Sequence, residues 1–183
     1  GVSIGRRQCD GAVAGSAPAT FGSNTSNGTI TLTSANTYTG QTTISGGTLQ
    51  LGNGGTTGAL STSSSIVNNG NLTINRSNAV TQGTDFKAAA ITGTGSFTQA
   101  GSGTTTLNVA NTYSGNTTIS AGTLALGASG SFANSPVINV GTSASQGILD
   151  LTAKSSFAFG SAQTLSGYGT VNIGSGKMIT ING

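Results

Sequence analysis

The sequence predicts an all-β fold, a parallel β-helix or β-solenoid of about eight coils. Three observations predict it. Gly, Thr, Ser and Asn make up 103 of the 183 residues, while only nine residues are charged. Short runs alternate apolar and polar residues and recur about every 19–25 positions. A long segment is repeated at an offset of 75 residues.

The composition removes several other classes. Glu, Lys, Leu and Ala normally build the helices of a helical or α/β domain, and this chain has no Glu and three Lys. With 34% hydrophobic residues it is too apolar for a disordered polyelectrolyte. Gly has no strict three-residue period, so collagen is excluded. The absence of His removes histidine catalysis and histidine metal ligation within one chain. No apolar stretch approaches the ~18 residues of a membrane helix.

Taken in order, residues 1–20 differ from the rest. They hold Arg6, Arg7 and Asp10, the sole cysteine Cys9, and Pro18. They are expected to be an N-terminal cap, linker or docking arm, with the solenoid over residues 21–183. The alternating runs begin with Thr29-Ile30-Thr31-Leu32-Thr33 and continue with Thr48-Leu49-Gln50-Leu51 and Asn71-Leu72-Thr73-Ile74-Asn75. Thr123-Leu124-Ala125-Leu126, Ile148-Leu149-Asp150-Leu151 and Met178-Ile179-Thr180-Ile181 follow. Period two puts the apolar members on one strand face, and Gly, Asn and Ser at the run ends permit tight corners.

Residues 28–52 and 103–127 align without a gap and are identical at 18 of 25 positions. The matches include Leu32/Leu107, Tyr38/Tyr113, Ile44/Ile119, Leu49/Leu124 and Leu51/Leu126. A weaker similarity links residues 91–97 to 165–171. One coil has too few inward aliphatics to bury a core, so coils must stack, Leu over Leu and Ile over Ile. In-register stacking also accounts for the scarcity of charge, because stacked like charges repel while Thr, Ser and Asn form hydrogen-bonded ladders.

The strings Asn36-Thr37-Tyr38-Thr39-Gly40 through Gly52, and Asn111-Thr112-Tyr113-Ser114-Gly115 through Gly127, resemble the autotransporter-associated β-strand repeat of secreted bacterial passenger domains. The resemblance implies a right-handed parallel β-helix, a secreted or bacterial cell-surface location, a surface role and no catalytic residues.

Candidate site residues are few. Tyr38 and Tyr113 occupy equivalent positions and either stack on carbohydrate or, the favoured reading, pack at corners and hydrogen-bond through their hydroxyls. Phe157 and Phe159 share a strand face and read as core or interface. Asp10, Asp85 and Asp150 are the only carboxylates for a polysaccharide-cleaving site, and read instead as solvated or turn residues. Asp85 with Lys87, or Asp150 with Lys154, reads as a weak surface ion pair. The pairs Thr29/Thr31, Thr37/Thr39, Thr92/Thr94 and Thr104/Thr106 suggest an ice-binding ladder but are not one per coil. No metal or other cofactor is expected. Only Arg6 and Arg7 are adjacent basic residues, so no nucleic-acid footprint is expected.

The function expected is a non-enzymatic extracellular rod. In one version it self-assembles head to tail into a fibre, through Arg6, Arg7 and Cys9 at one end and Met178, Ile179 and Ile181 at the other. In the other it is an adhesin passenger fragment that binds glycans or cells. Cys9 has no partner for an intrachain disulfide and is a candidate for an intermolecular one.

Overall fold

The structure is a computed structural model and describes residues 2–4, 12–22 and 28–181. Arg6, Arg7, Cys9 and Asp10 lie outside the described residues. No helix occurs among the described residues. The strands are β1 (Val2–Ile4), β2 (Ala19–Phe21), β3 (Thr29–Leu32), β4 (Thr42–Ile44) and β5 (Thr48–Leu51). Next come β6 (Ile66–Asn68), β7 (Asn71–Ile74), β8 (Val80–Thr81), β9 (Ile91–Thr92), β10 (Ser96–Gln99) and β11 (Thr104–Leu107). The last turns carry β12 (Thr117–Ile119), β13 (Thr123–Leu126), β14 (Val137–Val140) and β15 (Ile148–Asp150). They end with β16 (Phe157–Phe159), β17 (Thr164–Ser166), β18 (Thr170–Asn172) and β19 (Ile179–Ile181).

These strands stack as a β-solenoid. A central sheet runs β3-β5-β7-β10-β12-β14-β17. A first sheet runs β1-β2-β4-β6-β9, a third β8-β11-β13-β15-β18, and β16 pairs with β19. All the pairings among the described residues are parallel. The central sheet has seven strands, so the solenoid makes about seven turns where about eight were expected. Among the described residues, those before Thr29 add strands to the first sheet and none to the central one. β2 also spans the boundary expected at residue 20, and the carbonyls of Val13 and Gly15 already accept from the amides of Thr37 and Thr39 one coil above.

The core is a set of columns. One column of the central sheet stacks Ile30, Leu49, Leu72, Phe97, Thr117, Ile138 and Leu165. The next stacks Leu32, Leu51, Ile74, Gln99, Ile119 and Val140. Leu over Leu therefore holds at Leu49/Leu72 and Leu32/Leu51 and gives way elsewhere to mixed stacks, such as Phe97 over Thr117. Each fully buried aliphatic contributes about 1.5–3 kcal/mol. The polar members are internally satisfied. Gln99 donates from Nε2 to the carbonyls of Gly101 and Gly103 and accepts from Thr105 Oγ1 at 2.5 Å.

The 75-residue repeat and the coil do not coincide. Gln99 lies three rungs above Leu32, in the same column. Eight residues further the chain reaches Leu107, the repeat-equivalent of Leu32, but in the third sheet. In the same way β4 of the first sheet corresponds to β12 of the central sheet, and β5 of the central sheet to β13 of the third. The second copy is thus turned by one face relative to the first. Each copy is itself a closed coil: Leu49 and Leu51 stack on Ile30 and Leu32, as Leu124 and Leu126 stack on Thr105 and Leu107.

Candidate functional site

The two motif copies build the same internal clamp on two different faces. Asn36 accepts at Oδ1 from the amide of Val13 below (2.8 Å) and donates from Nδ2 to the carbonyls of Ser34 in its own coil and Ala59 above. Asn111 repeats this, accepting from the Ile91 amide and donating to the carbonyls of Val109 and Ser131. One amide therefore ties three successive coils. Buried corners need such partners, because an unmet backbone group costs about 1–3 kcal/mol.

Tyr38 and Tyr113 close the same corner. They are 1% and 0% exposed, and neither ring presents a face on which a sugar could stack. The Tyr38 hydroxyl meets Thr42 Oγ1 at 2.6 Å, and Thr42 meets Ser64 Oγ at 2.7 Å. Tyr113 meets Thr117 Oγ1 at 2.8 Å, and Thr117 donates to Ser135 Oγ at 2.9 Å. The motif glycine explains the close coil approach. A Cβ on Gly40 would lie 2.4 Å from the Ala17 carbonyl carbon, and one on Gly115 2.5 Å from Gly95 backbone. The serines at the end of each clamp carried no readable signal, since they come from the next coil and lie outside the aligned motif.

Burial raises the pKa of both phenols, more than their hydroxyl partners lower it. The protonated phenols are therefore favoured by folding, and their contribution is complete below an ordinary tyrosine pKa of about 10 and lost as pH climbs above it. A urea midpoint that is flat up to about pH 9 and falls beyond about pH 10 is expected. Tyr113→Phe should cost about 1 kcal/mol at neutral pH and make the alkaline fall shallower.

Charge is arranged differently from the sequence expectation. Asp85 pairs not with Lys87 but with Arg76, Nη1 to Oδ1 at 2.5 Å, and Arg76 is only 6% exposed. The arginine also donates to the Gly58 carbonyl and to Asn78 Oδ1, while Asp85 Oδ2 accepts from the Thr81 amide. This ion pair is largely buried, not a weak surface contact. Asp150 accepts at Oδ1 from the Thr152 amide, and Lys154 turns instead to the carbonyls of Ala128 and Gly130. Thr81 lies three rungs below Asp150. The Asp85 and Asp150 carboxylates are thus about 14 Å apart along the axis. A glycosidase pair needs no more than about 9.5 Å. No group of three metal-ligating side chains occurs among the described residues.

The outer face of the central sheet carries a column of uncharged polar residues. Its register column is Thr31, Gln50, Thr73, Thr98, Thr118, Asn139 and Ser166, one per rung and 19 to 27 residues apart. The Thr-x-Thr pairs singled out in the sequence do not share this face: Thr29 and Thr31 are central, Thr92 is in the first sheet, Thr104 and Thr106 in the third. The ladder that exists is mixed Thr, Gln, Asn and Ser, and sequence spacing hid it because coil length varies.

At the last described rung the core is less covered. Leu165, Val171 and Ile179 are half-buried, Ile173 is 46% exposed, and Tyr168 and Met178 are each 72% exposed. Leu165 and Val171, with Val140, border a cavity of about 240 Å³. The strand Ile179–Ile181 has β16 on one side. Phe159 is buried, and Phe157 lies edge-on to it at 5.0 Å and to Phe132 at 6.0 Å, so both rings pack with the core.

Stacked parallel coils, an internal clamp repeated in each motif copy and an uncharged outer ladder define a β-solenoid repeat protein. Its repeats are of the autotransporter passenger type: residues 25–51 and 97–126 match the family model described as passenger-associated-transport-repeat. A stretch of 70 residues is 47% identical to the "Adhesin BmaC autotransporter" of Brucella suis biovar 1 (strain 1330). That stretch is 38% of this chain and 2% of the relative, so the chain spans only a small part of the relative's length. No solved structure matches the chain.

Proposed function

We propose that this chain is a non-enzymatic rod segment of a bacterial surface passenger, and that it binds cells or their glycans through its outer sheet faces. The observation that carries the reading is that the motif residues are spent internally, on clamps that stiffen the coil, leaving long regular outer faces for contact. The passenger-type repeats and the match to an adhesin support a secreted or cell-surface location. The test is binding of fluorescently labelled chain to epithelial cells, before and after enzymatic removal of surface glycans. Saturable binding is expected, and labelling no higher than with serum albumin would sink the proposal.

A second reading is head-to-tail association of copies through the last described rung. The exposed Met178 and Tyr168 and the half-buried Ile179, Leu165 and Val171 favour it, since apolar groups at a sheet end gain by being covered. Size-exclusion chromatography over a hundredfold range of concentration, about 1 to 100 μM, checks it. Growth of the particle with concentration is expected, together with its loss in Met178→Lys. A monomer throughout would rule it out.

A further inference from the structure

We infer that the outer face of the central sheet is a binding strip for an uncharged, extended polysaccharide lying along the solenoid axis. This rests on the adhesive reading and deepens it by naming the face and the ligand class. Charge restricts the ligand first. The register column from Thr31 to Ser166 crosses seven rungs without one charged side chain. At a rung spacing of about 4.8 Å the strip is about 29 Å long. An anionic polymer would find no Lys or Arg there to offset its desolvation. The third sheet, by contrast, carries Asp150.

The hydrogen-bonding capacity of the strip suits the same ligand. Asn71 Nδ2 donates to Thr73 Oγ1 at 3.0 Å, and Thr98 Oγ1 donates to Asn71 Oδ1 at 3.1 Å. Thr73 is only 6% exposed and serves the ladder internally, while the half-exposed Thr98 oxygen keeps acceptor lone pairs and the half-exposed Thr118 hydroxyl and Asn139 amide provide donors. Donors and acceptors thus coexist along the strip, as the hydroxyls of a neutral sugar require. The strip is also ordered before binding. Threonine is stiff at χ1, and these side chains are held by their neighbours and by the parallel ladder beneath. Little side-chain entropy remains to be lost on binding. A protein partner would need buried aromatic or aliphatic anchors, and the column has none.

Microcrystalline cellulose, curdlan and soluble yeast mannan are the probes, with heparin as a charged comparison. The purified chain is expected to be retained by at least one neutral polymer and not by heparin. The combined variant Thr31→Val, Thr98→Val and Thr118→Val, all half-exposed positions of the column, should weaken retention about tenfold or more. The matched variant Thr43→Val, Thr92→Val and Thr106→Val, on the other two sheets, should stay within about twofold of the parent. Thermal melts of both establish that they fold. If the first variant melts early, Thr118→Lys alone, a half-exposed position, must show the loss. Retention by no neutral polymer, retention by heparin alone, or equal losses in the two triple variants would each overturn the inference. Cell binding that persists without any neutral-polymer binding leaves the adhesive reading standing and removes only this one.

Discussion

Asp85→Ala is expected to destabilise the solenoid by about 3 kcal/mol, at the lower end of the range for breaking a buried ion pair. Its effect comes less from the lost contact than from what remains. Arg76 is 6% exposed, and its side chain lies between coils. A Cβ on Gly52 below would touch its Cγ at 2.6 Å, and a Cβ on Gly101 above would strike its carbonyl oxygen at 2.1 Å. The arginine side chain is buried, and the Gly58 carbonyl and Asn78 Oδ1 are dipoles that offset only part of its charge. Asp85 itself is 17% exposed at its side chain, which is why the lower end applies. Urea unfolding at neutral pH measures it. Arg76→Met combined with Asp85→Leu should recover most of the loss, since an apolar pair carries no desolvation cost. A single-variant loss below about 1 kcal/mol would show that the pair is solvated in solution.

Phe97→Ala is expected to cost about 3–5 kcal/mol, the value for removing a buried aromatic ring. Phe97 is fully buried between Leu72 and Thr117 in the central column, and its ring stacks on Tyr113 with centroids 6.1 Å apart. Removing it leaves a cavity beside the second clamp and loosens Tyr113. In a solenoid each coil touches only its neighbours, so the damage should be graded along the axis. Amide hydrogen exchange should speed most in β7, β10 and β12 and least in β3, four rungs below β12. A uniform loss of protection across all rungs would contradict nearest-neighbour coupling and point to a single cooperative unit.

The clamps show how much of the site was legible. Tyr38 and Tyr113 were readable as corner residues because they recur in an otherwise aliphatic and hydroxylic repeat, and a buried tyrosine needs a partner for its hydroxyl. Thr42 and Thr117, four residues on, provide it. Ser64 and Ser135 were not readable, because they reach the clamp from the next coil across loops of unequal length. The Arg76–Asp85 pair was missed for a related reason. Nearness in sequence favoured Lys87, two residues away, whereas the turn after β8 folds Asp85 back toward the coil entrance at Arg76.

The high content of Gly, Thr, Ser and Asn with nine charges, and the period-two runs, were enough by themselves to determine an all-β stack of thin coils. Strand alternation is local, and stacked identical residues tolerate no repeated charge. Only the tertiary structure decided where each repeat faces. Three rungs consume 67 residues, from Leu32 to Gln99, and the 75-residue period overshoots them by one side of the coil. That angle depends on the summed lengths of several loops, not on any one motif. The same accumulation decided which hydroxyls and amides line up on the central sheet.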